Sequence, residues 1–196
     1  VGCKAEQSST YNRREATAAC NGDKSGFGLK KVTSTQQDPQ AWWEVDLGQM
    51  ALIDEIRVWN RTDVPTDPAA PRDQYTSRLF PFWVMIGVNP FSRETGAESL
   101  SESVQSAVAR AKFTEETRVS KWRCPANTQG RYVRVQLEGY NYLTLAEVEV
   151  FGNLGYSKGV GRVSYAAAGR DVTVAVIRAS TDPRDIESRF KRAAYA

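Results

Sequence analysis

The chain has 196 residues, with Lys+Arg 26 against Asp+Glu 23 and a formal net charge of +3, enough for one domain plus an extension or for two small domains. That balance gives no electrostatic sign of nucleic-acid binding, and no segment approaches the roughly 20 apolar residues of a membrane-spanning helix. Histidine is absent, which excludes a Ser/His or Cys/His nucleophile pair, a His-ligated zinc or copper site and the usual proton shuttle.

The chain opens on Val1-Gly2-Cys3-Lys4, without initiator Met or apolar leader, and reads as a processed product or a fragment. Residues 21–28 and 35–40 are rich in turn formers. Residues 43–47 alternate apolar with acidic, 53–61 alternate less strictly, and 82–88 are almost wholly apolar. Alternation suits a strand with one wet face, and the unbroken run suits one covered on both faces. Between them lies a turn-rich stretch, 64–73, and another follows at 89–96. Leu100, Val104, Ala107, Val108 and Ala111 then form a helical stripe within 98–111. After a turn-rich 125–130, alternation returns at 131–137 and 147–151. Many short strands with turn-rich connections predict an all-β fold, a sandwich or jelly roll.

A break at Gly152-Asn153 separates a domain, residues 1–152, from an extension, 153–196. The extension holds two strand-like runs (160–165, 172–178) and a capped terminal helix (184–194). Its net charge is +4 against −1 for the first 153 residues, so it is expected to pack on the sandwich or on a protein partner.

Acidic pairs such as Asp54-Glu55 are adjacent and point to opposite faces of a strand, so they make poor glycosidase pairs. The five tryptophans fall mostly within strands and are expected in the core, whereas Tyr140 and Tyr142 lie in a turn suited to an exposed contact. No enzyme activity is expected.

Seven motifs in order carry a resemblance: Ser8-Ser9-Thr10-Tyr11, Ala18-Ala19-Cys20-Asn21-Gly22-Asp23, Trp42-Trp43-Glu44-Val45-Asp46-Leu47-Gly48, Ile56-Arg57-Val58-Trp59-Asn60-Arg61, Arg78-Leu79, Gly130-Arg131-Tyr132-Val133-Arg134-Val135 and Leu143-Thr144-Leu145-Ala146-Glu147-Val148-Glu149-Val150-Phe151-Gly152. Across residues 5–152 the chain resembles the F-type lectin (fucolectin) branch of the discoidin-like, F5/8 type C galactose-binding domains. The resemblance implies a discoidin-like jelly-roll β-sandwich with a shallow sugar site of one histidine and two arginines. The arginines match Arg61, in Asn60-Arg61-Thr62-Asp63, and Arg78; Asp63 would steady one fork, and Ser34 stands where the histidine would be. A guanidinium is a rigid, permanently charged fork suited to paired hydroxyls. The bland alternative makes both arginines ion-paired loop anchors. The loop after Asp63 departs from the family, running through Pro65, Pro68 and Pro71 to Ser77.

The resemblance also implies a structural Ca²⁺, with Asn21, Asp23, Thr33 (or Ser34) and Glu147 as matching oxygen donors. Glu147 and Glu149 share a strand face, and without a cation they read as solvated glutamates. The family's loop-to-strand disulfide is precluded by Ala146, and a Cys20–Cys124 pairing stays open. The expected function is non-catalytic carbohydrate binding, with a glycan or glycoprotein as partner, outside the cell or at its surface. The alternative is a structural subunit of a cell-surface filament or an intracellular, ciliary assembly.

Overall fold

The two alternating runs at 43–47 and 53–60 are one strand of 19 residues, β3 (Trp42–Asn60). The computed structural model describes residues 4–28, 31–154 and 176–177. Around β3 lie β1 (Lys4–Gln7), β2 (Thr33–Pro39), β4 (Phe82–Gly87), α1 (Ala97–Ser106), β5 (Ala109–Phe113), β6 (Val119–Arg123), β7 (Gln129–Leu137), β8 (Tyr140–Leu154) and β9 (Val176–Ile177). Short 3-10 turns occupy Ala16–Cys20 and Ser77–Leu79.

The first half of β3 lies between β1 and β7, and β7 continues through β4 to β5. The second half lies between β6 and β8, and β8 continues to β2. These pairings are antiparallel; β9 joins β8 in parallel at Phe151 and Gly152. The crossover falls where the β3–β7 register shifts, between Asp46 and Ala51. Gly48 sits there at φ 83, and Asp46 holds the bend by accepting from Gly48 N (2.7 Å) and from both arms of the Arg131 fork (2.7 and 2.8 Å). Trp43, Val45, Val84, Ile86, Val133 and Val135 from one layer meet Ile53, Ile56, Val58, Leu145, Val148 and Val150 from the other in one buried core. This is the all-β sandwich that the alternation predicts.

Three expectations are corrected. Residues 35–40 are mostly strand: β2 pairs with β8 through a bulge between Ser34 and Gln37. The helical stripe ends early, because Val108 N donates to Ile86 O (2.9 Å) and Ala109–Phe113 pairs with β4 instead. Ala107 and Ala111 fit a helical and a strand period equally, and the open β4 edge decides between them. Glu147 and Glu149 are buried, not solvated, at 0% and 3% exposure.

Cys20 is a disulfide cysteine and Cys124 is free, so the two do not pair. Burial, followed by Asp54 and Glu55, pushes the Cys124 thiol up to about 12. The run at 160–165 and the helix at 184–194 lie outside the described residues.

Candidate functional site

The site begins where β3 stops. Asn60 is buried; its N–H donates to Arg118 O (2.9 Å) and its side-chain amide to Thr76 O (2.8 Å). The excursion from 61 to 76 is therefore tied at its base, and its two ends deliver Arg61 and Arg78 to one place. Below, Gly26 at φ 68 lies so close that a Cβ would meet Asn60 O at 2.9 Å and Thr62 N at 2.9 Å. Thr62 N donates to Gly26 O (2.9 Å) and Thr62 Oγ1 to Ser25 O (2.6 Å), fixing the 21–28 loop beneath Arg61.

Arg61 is 4% exposed and forks onto Asp63, with Nε donating to Oδ1 at 2.6 Å and Nη2 donating to Oδ2. Its guanidinium lies over the Tyr75 ring at 4.2 Å. Arg78 lies over the same ring at 4.9 Å and over Tyr142 at 4.8 Å, so the two guanidinium carbons are within about 9 Å of each other. The 3-10 turn carrying Arg78 is anchored by Leu79, buried in the core. No described residue gives Arg78 a hydrogen bond or a carboxylate; its contacts among them are the two tyrosine rings. Cation–π stacking orients the fork without consuming its N–H groups.

Ser34 is 2% exposed, and its hydroxyl donates to Thr35 O (3.1 Å) beside Thr144 Oγ1 (3.5 Å). The side chain is thus turned into the β2–β8 sheet. The main chain instead carries a neighbouring turn: Tyr11 N donates to Ser34 O (2.8 Å) and Ser34 N to Arg14 O (3.2 Å). Tyr11 meets Tyr142 edge-on at 5.4 Å. Burial first and the charge of Arg61 second hold Arg14 below the ordinary arginine value, while Asp63, Tyr11 and Tyr75 oppose them. Sequence reasoning picks out Tyr142, names Tyr11 only within a family motif, and misses Arg14 and Tyr75. The only available signals were the Arg13-Arg14 pair in a loop and a tyrosine three residues before Arg78.

At the expected calcium position Glu147 is fully buried. Its Oε2 accepts from Asn21 N and Gly22 N, both at 3.2 Å, and its Oε1 has no partner. Burial, opposed by those amides and reinforced by Glu149, pushes this carboxyl up to about 8. Glu149 is satisfied by Lys24 (2.7 Å) and the Trp59 indole (2.7 Å). Asn21 Oδ1 accepts from Asp23 N (2.7 Å), and Asp23 accepts from Ser25 N (2.9 Å) and pairs with Lys31 (3.0 Å). Hydrogen bonds from Ser25, then Lys31, bring Asp23 down to about 2. The Thr33 hydroxyl donates to Gln7. Among the described residues no three His, Cys, Asp or Glu side chains converge on one point. An orphaned buried carboxylate oxygen is the kind of donor a hard cation takes.

The model of the NedA-like, galactose-binding domain family matches residues 18–135. Fucolectin-1 of Anguilla japonica is 30% identical over 126 residues, 64% of this chain and 61% of the relative, so the chain spans about three fifths of that protein. A Streptococcus pneumoniae fucose binding module is 27% identical with a TM-score of 0.57, over 76% of this chain and 93% of the module. The lectin domain of lectinolysin, solved with Lewis B antigen, is 29% identical with a TM-score of 0.58, over 78% of this chain and 94% of that domain. The order of strands, the two arginines at one sandwich rim and these matches lead to one assignment: the chain belongs to the F5/8 type C, NedA-like galactose-binding domain family, in its F-type lectin branch.

Proposed function

We propose that this chain is a non-catalytic carbohydrate-binding module whose ligand sits on the platform of Arg61, Tyr75, Arg78 and Tyr142. One observation carries the reading. Arg78 is half-buried and flanked by two tyrosine rings, yet no described carboxylate takes its donors. A guanidinium held that way grips neighbouring hydroxyls while an aromatic face takes the C–H side of a sugar ring. Asp63 keeps Arg61 in register rather than touching ligand. Related modules named for fucose and for Lewis B support a glycan or glycoprotein partner. The disulfide at Cys20 supports an extracellular or cell-surface setting. Calcium, held by Glu147 with loop oxygens around Asn21 and Asp23, would supply charge that fixes the 21–28 loop.

A glycan array with the wild-type chain and Arg78→Ala tests this. Binding to at least one sugar, weakened about tenfold or more by the substitution, is the expected result. No binding to any sugar, or binding indifferent to Arg78, overturns it.

One observation favours scaffolding, in which the fold is kept and the sugar lost: Tyr75 covers an Arg61 that is only 4% exposed. The two readings part on Tyr75→Ala. A tyrosine that walls a sugar site loses affinity when truncated, whereas one that plugs it gains.

A further inference from the structure

The Arg14 side chain has no hydrogen bond or ion pair with any described residue. The turn that presents it places two consecutive non-glycine residues, Asn12 at φ 49 and Arg13 at φ 58, in the left-handed region. L side chains adopt that conformation at a cost, and such costs gather at functional positions. Three main-chain hydrogen bonds hold the turn: Tyr11 N to Ser34 O (2.8 Å), Arg14 N to Tyr11 O (3.1 Å) and Ser34 N to Arg14 O (3.2 Å). Arg14 is thereby delivered beside Ser34, the position at which the resemblance puts a histidine.

The charges around it do not balance. Arg14 Nε is buried with no partner. No described carboxylate pairs with Arg14 or Arg78, and both oxygens of Asp63 are spent on Arg61. Arg14 lies beside Arg61, Asp63, Tyr11 and Tyr75, and Arg78 joins them across the Tyr75 and Tyr142 rings; among the described residues only Arg61 of the three guanidinium groups is paired with a carboxylate, which leaves two positive charges unpaired in a partly buried cluster. A neutral sugar needs donors but not that excess, and like charges held together away from water repel until an anion joins them. Planar forks suit a carboxylate or a sulfate.

We propose that Arg14 joins Arg61 and Arg78 as a third guanidinium of the sugar site, and that the ligand is an acidic glycan, a sugar bearing a carboxylate or a sulfate. This deepens the carbohydrate-binding reading and rests on it. The substitution Arg14→Gln removes the charge while keeping a polar side chain of similar length.

Binding is measured by calorimetry for four matched probes, sialyllactose against its methyl ester and sulfated lactose against lactose, with L-fucose as a fifth. At low salt at least one acidic probe binds about tenfold or more tighter than its neutral match, and the advantage shrinks as salt rises. The pair that shows it identifies the anion. In Arg14→Gln the ratio of acidic to neutral affinity falls to about twofold or less. Equal affinity for acidic and neutral probes overturns the proposal, as does an advantage that survives Arg14→Gln. Binding of fucose or lactose alone removes this inference and leaves the carbohydrate reading standing. Binding of none removes both. Should Arg14→Gln fail to melt cooperatively, the wild-type comparison across salt decides by itself.

Discussion

Glu147 is the residue whose burial has the plainest consequence. Its carboxyl titrates at about 8 in the fold against an ordinary value near 4.5. Below the ordinary value both folded and unfolded chains hold the proton. Between the two values only the folded chain does, so stability falls as pH rises, and the loss is complete above about 8. In chelator, the urea midpoint should therefore decline from about pH 5 to about pH 8, by an effect of order a few kcal/mol, and Glu147→Gln should flatten the decline. Added calcium should raise the midpoint most at the alkaline end; a midpoint indifferent to calcium at about pH 8 would remove the cation from that position. Asp23 works in another window, because its depressed value makes its contribution present above about 4 and lost only as pH falls towards 2. Arg61, Arg78, Asp63 and Glu147 could be picked out from sequence because each sits in a local motif. Arg14 and Tyr75 could not, because what brings them in is β2 pairing and a closed loop, contacts between residues far apart in the chain. Ser34 stands where the resemblance puts a histidine, yet its hydroxyl is bonded within the β2–β8 sheet.

At the scale of elements, the 21–28 loop and the 61–76 excursion act as a pair. Gly26 is a point of close approach between them, where a methyl group would press on Asn60 O and Thr62 N and the backbone is left-handed. Gly26→Ala should cost about 1–3 kcal/mol in chemical denaturation and weaken sugar binding more than its distance from the ligand suggests, since Arg61 shifts with Thr62. A variant that melts and binds like wild type would show the two segments to be independent. The strands were readable wherever apolar and polar residues alternate, as in the second half of β3, where Ile56 and Val58 are buried and Arg57 and Trp59 are not; β7 alternates as well, although its Arg134 and Gln136 are also buried. The two elements misread failed for physical reasons. The alanines around 107–111 satisfy two periods at once, and the polar sequence of β2 hides its pairing with β8. The bend in β3 also looks like an ordinary turn, since Gly48-Gln49 interrupts the apolar pattern of the sequence.

At the scale of the whole molecule, a second buried cation shows how the layer of β1, β3, β7, β4 and β5 is closed. Arg134 is 0% exposed, donates from Nε to Glu44 (3.0 Å) and from Nη1 to Ser92 O (2.7 Å), and lies over Trp42 at 4.3 Å. Burial brings it down to about 10 and raises Glu44. Arg134→Met alone strands a buried carboxylate and should cost roughly 3–5 kcal/mol, whereas adding Glu44→Gln should recover much of that loss. Equal midpoints for the single and double variants would refute the pairing. The long β3 ribbon belongs to both layers, and this bears on how the protein comes apart. Neither half can peel away while the other keeps its full complement of neighbours. Amides at Val45 and at Val58 should accordingly exchange with deuterium through the same rare opening event, and nicking the chain near Gly48 should collapse both halves together rather than release one.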